Sequence, residues 1–232
     1  MSRRLYVFGT GHAMVTRLYN SCFALEEDGR FFLLDAGGGS GILQAAAAMG
    51  VPWDAVRFLF LTHTHTDHLL GGVWAVRAVG SRMCSGQYPG EFTVWGHHAL
   101  IAAFRTVCRA VLSPGICALL DRRILLQPVE DGAQRSVLSG TAVFFDTGCT
   151  QVRQFGCAVR FPDGQRLAYL GDEPIHPQVR PLLSGCGYLI AEALCLESER
   201  QIHRPEASFH SSVKETCERA EALGVRHLIL CH

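Results

Sequence analysis

Val56-Arg57-Phe58-Leu59-Phe60-Leu61-Thr62 runs directly into His63-Thr64-His65-Thr66-Asp67-His68, and a helix-like stretch opens at Leu69. The first seven residues form a short apolar run rich in aromatic and branched side chains, the pattern of a buried strand. Three imidazoles and a carboxylate then crowd one strand-to-helix turn. On extended backbone side chains alternate, so His63 and His65 point the same way and can share one ion. Asp67 stands where an N-cap residue would, and His68 in the first turn of the helix. Neutral imidazole and carboxylate are the usual ligands of Zn²⁺ and also suit Fe and Mn. A lone histidine is most simply a solvated loop residue, but four ligand-type side chains within six positions are not.

Working outward, similar apolar runs bounded by Gly, Asp or Pro recur at Leu5 to Phe8, Ser21 to Leu25, Phe31 to Leu34 and Glu91 to Trp95. They return at Thr141 to Phe145, Gly156 to Phe161, Arg166 to Leu170, Tyr188 to Ala191 and His227 to Cys231. Helical candidates lie between them at Ile42 to Met49, Leu69 to Val79, His98 to Leu112 and Ser212 to Leu223. With 232 residues, 48% of them hydrophobic, the chain can fill a large core. No repeat or Pro-rich linker marks a boundary, so a single domain over residues 1–232 is expected. Its predicted class is α/β or α+β, with two packed sheets as the core and helices outside.

Lys plus Arg and Asp plus Glu both total 21, which leaves no bulk charge to hold duplex DNA or an anionic membrane. No run reaches the roughly 18 to 20 apolar residues that cross a bilayer, and the run after Ser2-Arg3-Arg4 is too short for a signal peptide. The ten cysteines include no C-x-x-C pair, and several lie in apolar segments. They read as small buried hydrophobes of a reduced, cytoplasmic protein.

The spacing H-x-H-x-D-H, after a strand and before a helix, resembles the signature of the metallo-β-lactamase superfamily. Other stretches resemble its ribonuclease Z-like branch in the same order: Phe8-Gly9-Thr10-Gly11, Leu34-Asp35-Ala36-Gly37, Tyr169-Leu170-Gly171-Asp172, Ile190-Ala191-Glu192-Ala193, His210-Ser211-Ser212 and Leu228-Ile229-Leu230-Cys231-His232. The resemblance implies an α+β protein, an αββα sandwich of two packed mixed sheets flanked by helices, and a hydrolase with two divalent ions, Zn first, Mn or Fe also fitting. It assigns His63 and His65 to one ion, with Asp146 offered as a third ligand, and Asp67, His68 and His232 to the other, with Asp172 bridging. A hydroxide held between the ions would attack a small or nucleotide-type phosphodiester, oriented by Asp67. His210, hydrogen-bonded to Glu192, would protonate the leaving alkoxide. The alternatives are a lactone or thioester hydrolase, or a non-catalytic metal-binding or sensing protein.

The chain departs from the family in two places. The family supplies another His to the first ion shortly before an aromatic-Gly pair, but Val143 to Phe155-Gly156 contains none. Asp146, Cys149 and Thr150 are the candidate replacements, a carboxylate being the best ligand on chemical grounds, and a vacant position is the remaining alternative. The family's tRNA-processing members carry an inserted arm, for which Cys157 to Leu170, with its tight Pro162-Asp163-Gly164 turn, leaves no room. Full-length tRNA is therefore not the expected substrate. His97 and His98 read as a helix start, His12 as a loop histidine, Glu173 and Pro174 after Asp172 as residues that either support the ligands or touch substrate, and Asp121-Arg122-Arg123 as a solvated face. Leu112 to Ser139 fits no motif, and an apolar surface patch there would support a homodimer. His232 is the last residue, so its own α-carboxylate would stand beside the metal.

Overall fold

The computed structural model describes residues 2–232 and divides into two units, one ending at Val129 and the other starting at Glu130. The first holds β1 (Arg3–Gly9), β2 (Cys22–Glu27), β3 (Arg30–Leu34), α1 (Gly41–Ala48), β4 (Val56–Phe60), α2 (Thr66–Cys84), β5 (Phe92–Gly96), α3 (His98–Val111), α4 (Pro114–Cys117) and β6 (Ile124–Pro128). Its sheet runs β1-β2-β3-β4-β5-β6, antiparallel as far as β3 and parallel from there on.

The parallel strands are apolar on both faces, as strands covered on both sides must be. One face of the sheet gives Leu33, Leu59 and Val94 to a core shared with the helices. The other carries an aromatic cluster in which Phe58 stacks on Trp95 at 5.0 Å and Phe32 meets both rings edge-on. Fully burying a side chain such as Phe32 contributes about 1.5–3 kcal/mol. The pairing Leu34↔Phe60 brings the C-terminal ends of β3 and β4 side by side, so Asp35 lies next to Thr62 and His63.

The second unit holds β7 (Gln134–Val137), β8 (Gly140–Asp146), β9 (Phe155–Arg160), β10 (Arg166–Tyr169), α5 (Arg180–Leu183), β11 (Tyr188–Glu192), α6 (Arg200–His203), α7 (Val213–Ala222) and β12 (His227–Cys231). Its sheet runs β12-β11-β10-β9-β8-β7, with β10, β11 and β12 parallel and the rest antiparallel. The registers Tyr169↔Ile190 and Glu192↔Cys231 set the ends of β10, β11 and β12 in a row, and Asp172, Glu192 and His232 follow or end those strands. α7 starts on a capping box: Ser212 Oγ accepts from the Glu215 N–H at 3.3 Å, and Glu215 Oε2 accepts from the Ser212 N–H at 3.0 Å.

Two strands, β6 and β7, lie inside the stretch Leu112 to Ser139 that fitted no motif. Its apolar residues are not a surface patch. Leu112, Ile116, Leu120, Ile124 and Leu126 are buried in the first unit's core, which removes the stated ground for a homodimer. Asp121 and Arg123 are not merely solvated either: Asp121 pairs with Arg105, and Arg123 donates to the carbonyls of Tyr88 and Gly90. Six cysteines are buried, whereas Cys84 and Cys217 are exposed. Among the described residues, no helix is long and apolar enough to cross a membrane.

Candidate active site

The first half of the site is built at the end of β4. Helix α2 begins one turn earlier than the sequence suggests, with His65 as its N-cap on extended backbone (φ −62°, ψ 149°). Asp67 is therefore not the N-cap but lies inside the first turn with His68, where its charge also favours the helix N-terminus. His63, His65 and His68 converge, with ring centroids 4.5 Å apart for His63 and His65 and 4.3 Å for His63 and His68. Asp67 Oδ2 lies 3.5 Å from His68 Nε2. His63, Asp67 and His68 are buried, and His65 is exposed.

A buried hydrogen-bond chain fixes which ring nitrogens face outward. Asp35 Oδ1 accepts from the Thr62 N–H at 2.8 Å, and Oδ2 accepts from Thr62 Oγ1 at 2.8 Å and from His68 Nδ1 at 2.6 Å. The Thr62 hydroxyl has one proton and gives it to Asp35, so the 2.9 Å contact between Thr62 Oγ1 and His63 Nδ1 places a proton on His63 Nδ1. Both imidazoles thus hold their proton at Nδ1 and present a lone pair at Nε2. Imidazole oriented by a carboxylate or hydroxyl in this way is the usual preparation of a metal ligand. The donor set fits a divalent ion such as zinc.

In the sequence Asp35 stands out only as part of an Asp-Ala-Gly turn. It is fully buried at φ +53°, a left-handed conformation that Asp tolerates better than most residues. α2 presses close behind it. The Gly71 N–H bonds to Gly37 O at 2.7 Å, and a Cβ on Gly71 would lie 1.7 Å from Ala36 O.

In the second unit, Glu192, His210 and His232 each bring one ligand-type atom within 4.8 Å of the others. His232 Nε2 lies 3.4 Å from Asp172 Oδ2, and its ring centroid is 4.2 Å from that of His210. His210 Nδ1 lies 3.3 Å from Glu192 Oε2, while Glu192 Oε1 accepts from the Ser211 N–H at 2.8 Å. Burial pulls the His210 imidazole down, but the pairing with Glu192, reinforced by Asp172 and Glu173, outweighs it and raises its pKa. Burial pushes Glu192 up, against the pull of His210.

The three candidates for the missing ligand lie at the end of β8 and in the loop after it. Asp146 has both oxygens engaged, Oδ1 by the Gly148 N–H at 2.9 Å and Oδ2 by Arg153 Nε at 3.0 Å. It caps its own turn and makes a surface ion pair. Burial, then a hydrogen bond to Glu173, push the Cys149 thiol up, which keeps it protonated. Thr150 is exposed. Glu173 organises this loop: its oxygens lie 3.2 Å from Gln154 Nε2 and 2.7 Å from His176 Nε2, and Gln154 Oε1 accepts from the Asp172 N–H at 3.3 Å. His97 caps α3, its Nδ1 accepting from the Leu100 N–H at 3.3 Å.

A family model described as the beta-lactamase superfamily domain matches residues 30–232. Among curated proteins, ribonuclease Z of Mycolicibacterium gilvum (strain PYR-GCK) is 28% identical over 221 residues, covering 88% of this chain and 74% of that protein. Among solved structures, human tRNase Z, short form, superposes with a TM-score of 0.78 at 17% identity, over 100% of this chain and 92% of that one. Zn²⁺-bound PqqB from Methylobacterium extorquens gives 0.70 at 15% identity, over 98% and 88%.

Proposed function

The chain belongs to the metallo-β-lactamase superfamily, and from that premise we propose that it is a metal-dependent phosphodiesterase of the ribonuclease Z-like branch, acting on a small or short nucleotide-type phosphodiester. The observation that carries this reading is the buried Glu192 carboxylate 3.3 Å from His210 Nδ1, with His210 beside His232. Cleaving a phosphodiester expels an alkoxide, which gains much from a general acid. Opening a lactone or thioester has less need of one.

On this reading residues 1–232 act as one hydrolase domain. Its ligands for two divalent ions, zinc first with manganese or iron also suited, are His63, His65, Asp67, His68, Asp172 and His232. Asp146 is left out because Gly148 and Arg153 already occupy its oxygens. Such ions, when bound, lower the pKa of a water toward about 7 and polarise a phosphoryl oxygen. The chain's own groups do the rest. Asp67 orients the attacking water, and Asp35 with Thr62 keeps the Nε2 lone pairs of His63 and His68 available. His210 gives its Nε2 proton to the leaving oxygen as the P–O bond breaks, while Glu192 fixes its ring from the Nδ1 side.

A small substrate is favoured over full-length tRNA because β9 and β10 are joined by the tight turn 161–165, closed by Phe161 N–H to Gln165 O at 2.9 Å, where an arm would insert. The test is a panel of thymidylyl-thymidine, a lactone, a thioester and a tRNA precursor, offered to metal-loaded protein. The dinucleotide should be cleaved fastest. Turnover of the lactone or thioester alone would overturn the reading.

A further inference from the structure

The second unit contains a cleft of about 370 Å³ whose wall includes His210 itself. That volume suits a small ligand, whose sites span about 300–1,000 Å³. Next to His210 on this wall stands Phe209, at φ +65° and ψ 36°. A left-handed residue at this kind of helix end is usually glycine, and a bulky L-residue adopts it only at a cost. The fold gains little in return, because Phe209 is 46% exposed. A residue that breaks the local rule and lines the cleft half exposed invites a role in binding.

The charges around the cleft point to the same ligand. Glu173 contacts His176, Glu206 pairs with Arg200, and Glu215 pairs with Arg200 and Arg219. Arg219 also donates to Ser211 Oγ. Arg180, exposed at the start of α5, is the one charged side chain of this wall with no ion-pair or hydrogen-bond partner among the described residues. The cleft thus offers a half-exposed phenyl side chain and an uncommitted guanidinium. A planar ring joined to a phosphate complements both.

We propose that this cleft is the subsite for the departing half of the substrate and that this half is a nucleotide, its base stacked on Phe209 and its second phosphate paired with Arg180. The inference rests on the phosphodiesterase reading. The P–O bond to the departing nucleotide breaks, its oxygen keeps the electron pair and takes the His210 proton, and a water oxygen bonds to phosphorus as that water releases a proton.

The test is calorimetric titration of the metal-loaded protein with thymidine 3′,5′-bisphosphate and with thymidine, for the wild type and for Phe209→Gly, Phe209→Tyr and Arg180→Gln, together with Tm. Phe209→Gly should bind the bisphosphate about tenfold or more weakly with Tm unchanged or raised, and Phe209→Tyr should restore affinity. Arg180→Gln should weaken the bisphosphate and leave thymidine unchanged. No binding by the wild type, equal affinities in all variants, or a lowered Tm with unchanged affinity in Phe209→Gly would each overturn the proposal. Failure of the reaction shows separately: protein that binds in the expected pattern yet leaves thymidylyl-thymidine with a phosphate at each end (pTpTp) intact keeps the nucleotide cleft and removes the phosphodiesterase reading.

Discussion

Replacing Asp35 by Asn changes no shape and removes one charge, yet neither orientation of the amide is neutral. If the NH2 group takes the place of Oδ2, it faces His68 Nδ1 and Thr62 Oγ1, both of which now donate to that oxygen. Thr62 can turn to accept, but His68 can do so only by moving its proton to Nε2, which removes the lone pair that would bind metal. If the NH2 group takes the place of Oδ1, it meets the Thr62 backbone N–H, which cannot switch. Losing a carboxylate that orients a ligand imidazole lowers metal affinity about 10- to 100-fold, or about 1.4–2.7 kcal/mol. A buried donor left facing a donor costs about 1–3 kcal/mol of stability. Competition of the protein with a chromophoric chelator for Zn²⁺, beside a thermal melt, measures both. Wild-type zinc affinity together with an unchanged Tm would refute the hydrogen-bond reasoning.

Other expectations follow from the same geometry. His210→Ala should lower kcat on an alkyl phosphodiester about 10²- to 10⁴-fold, and full retention of activity would dismiss it as the general acid. Gly71→Ala drives a methyl into the Ala36 carbonyl and should destabilise the fold by about 3 kcal/mol or more, measured by urea denaturation. Asp146→Ala should leave metals per chain unchanged by elemental analysis and cost at most about 1 kcal/mol, because it breaks a half-exposed ion pair. Arg105 holds the Asp121 carboxyl below its usual pKa, so the pair's small contribution is present above about pH 4 and is lost as pH falls. The stability difference between wild type and Asp121→Asn should shrink under acid.

Ten of the twelve strands among the described residues are legible because they combine apolar character with branched and aromatic side chains between clear breaks. β6 and β7 are not, for physical reasons. β7 is a polar edge strand, three of its four residues exposed, and needs no alternation. β6 is an edge strand that ends in Pro128. The ligand-type cluster His63 to His68 could be read because its residues are local in sequence, although the helix start was misjudged by the placing of Asp67. The role of Asp35 could not be read, since it depends on the parallel pairing of β3 with β4, and no residue announces a partner strand. Asp146 was ranked by ligand chemistry alone, and only the fold reveals that Arg153 and the Gly148 amide already hold it. The apolar residues of Leu112 to Ser139 likewise gave no sign of which side they face until α4 and β6 placed them in the core.

The most direct measurement is the rate of thymidylyl-thymidine hydrolysis by protein loaded with Zn²⁺ or Mn²⁺, then stripped with chelator, then reloaded. The account predicts turnover that disappears on stripping, returns with metal, and is lost in His63→Ala. Hydrolysis that survives chelation, or no hydrolysis at any metal loading, would contradict it.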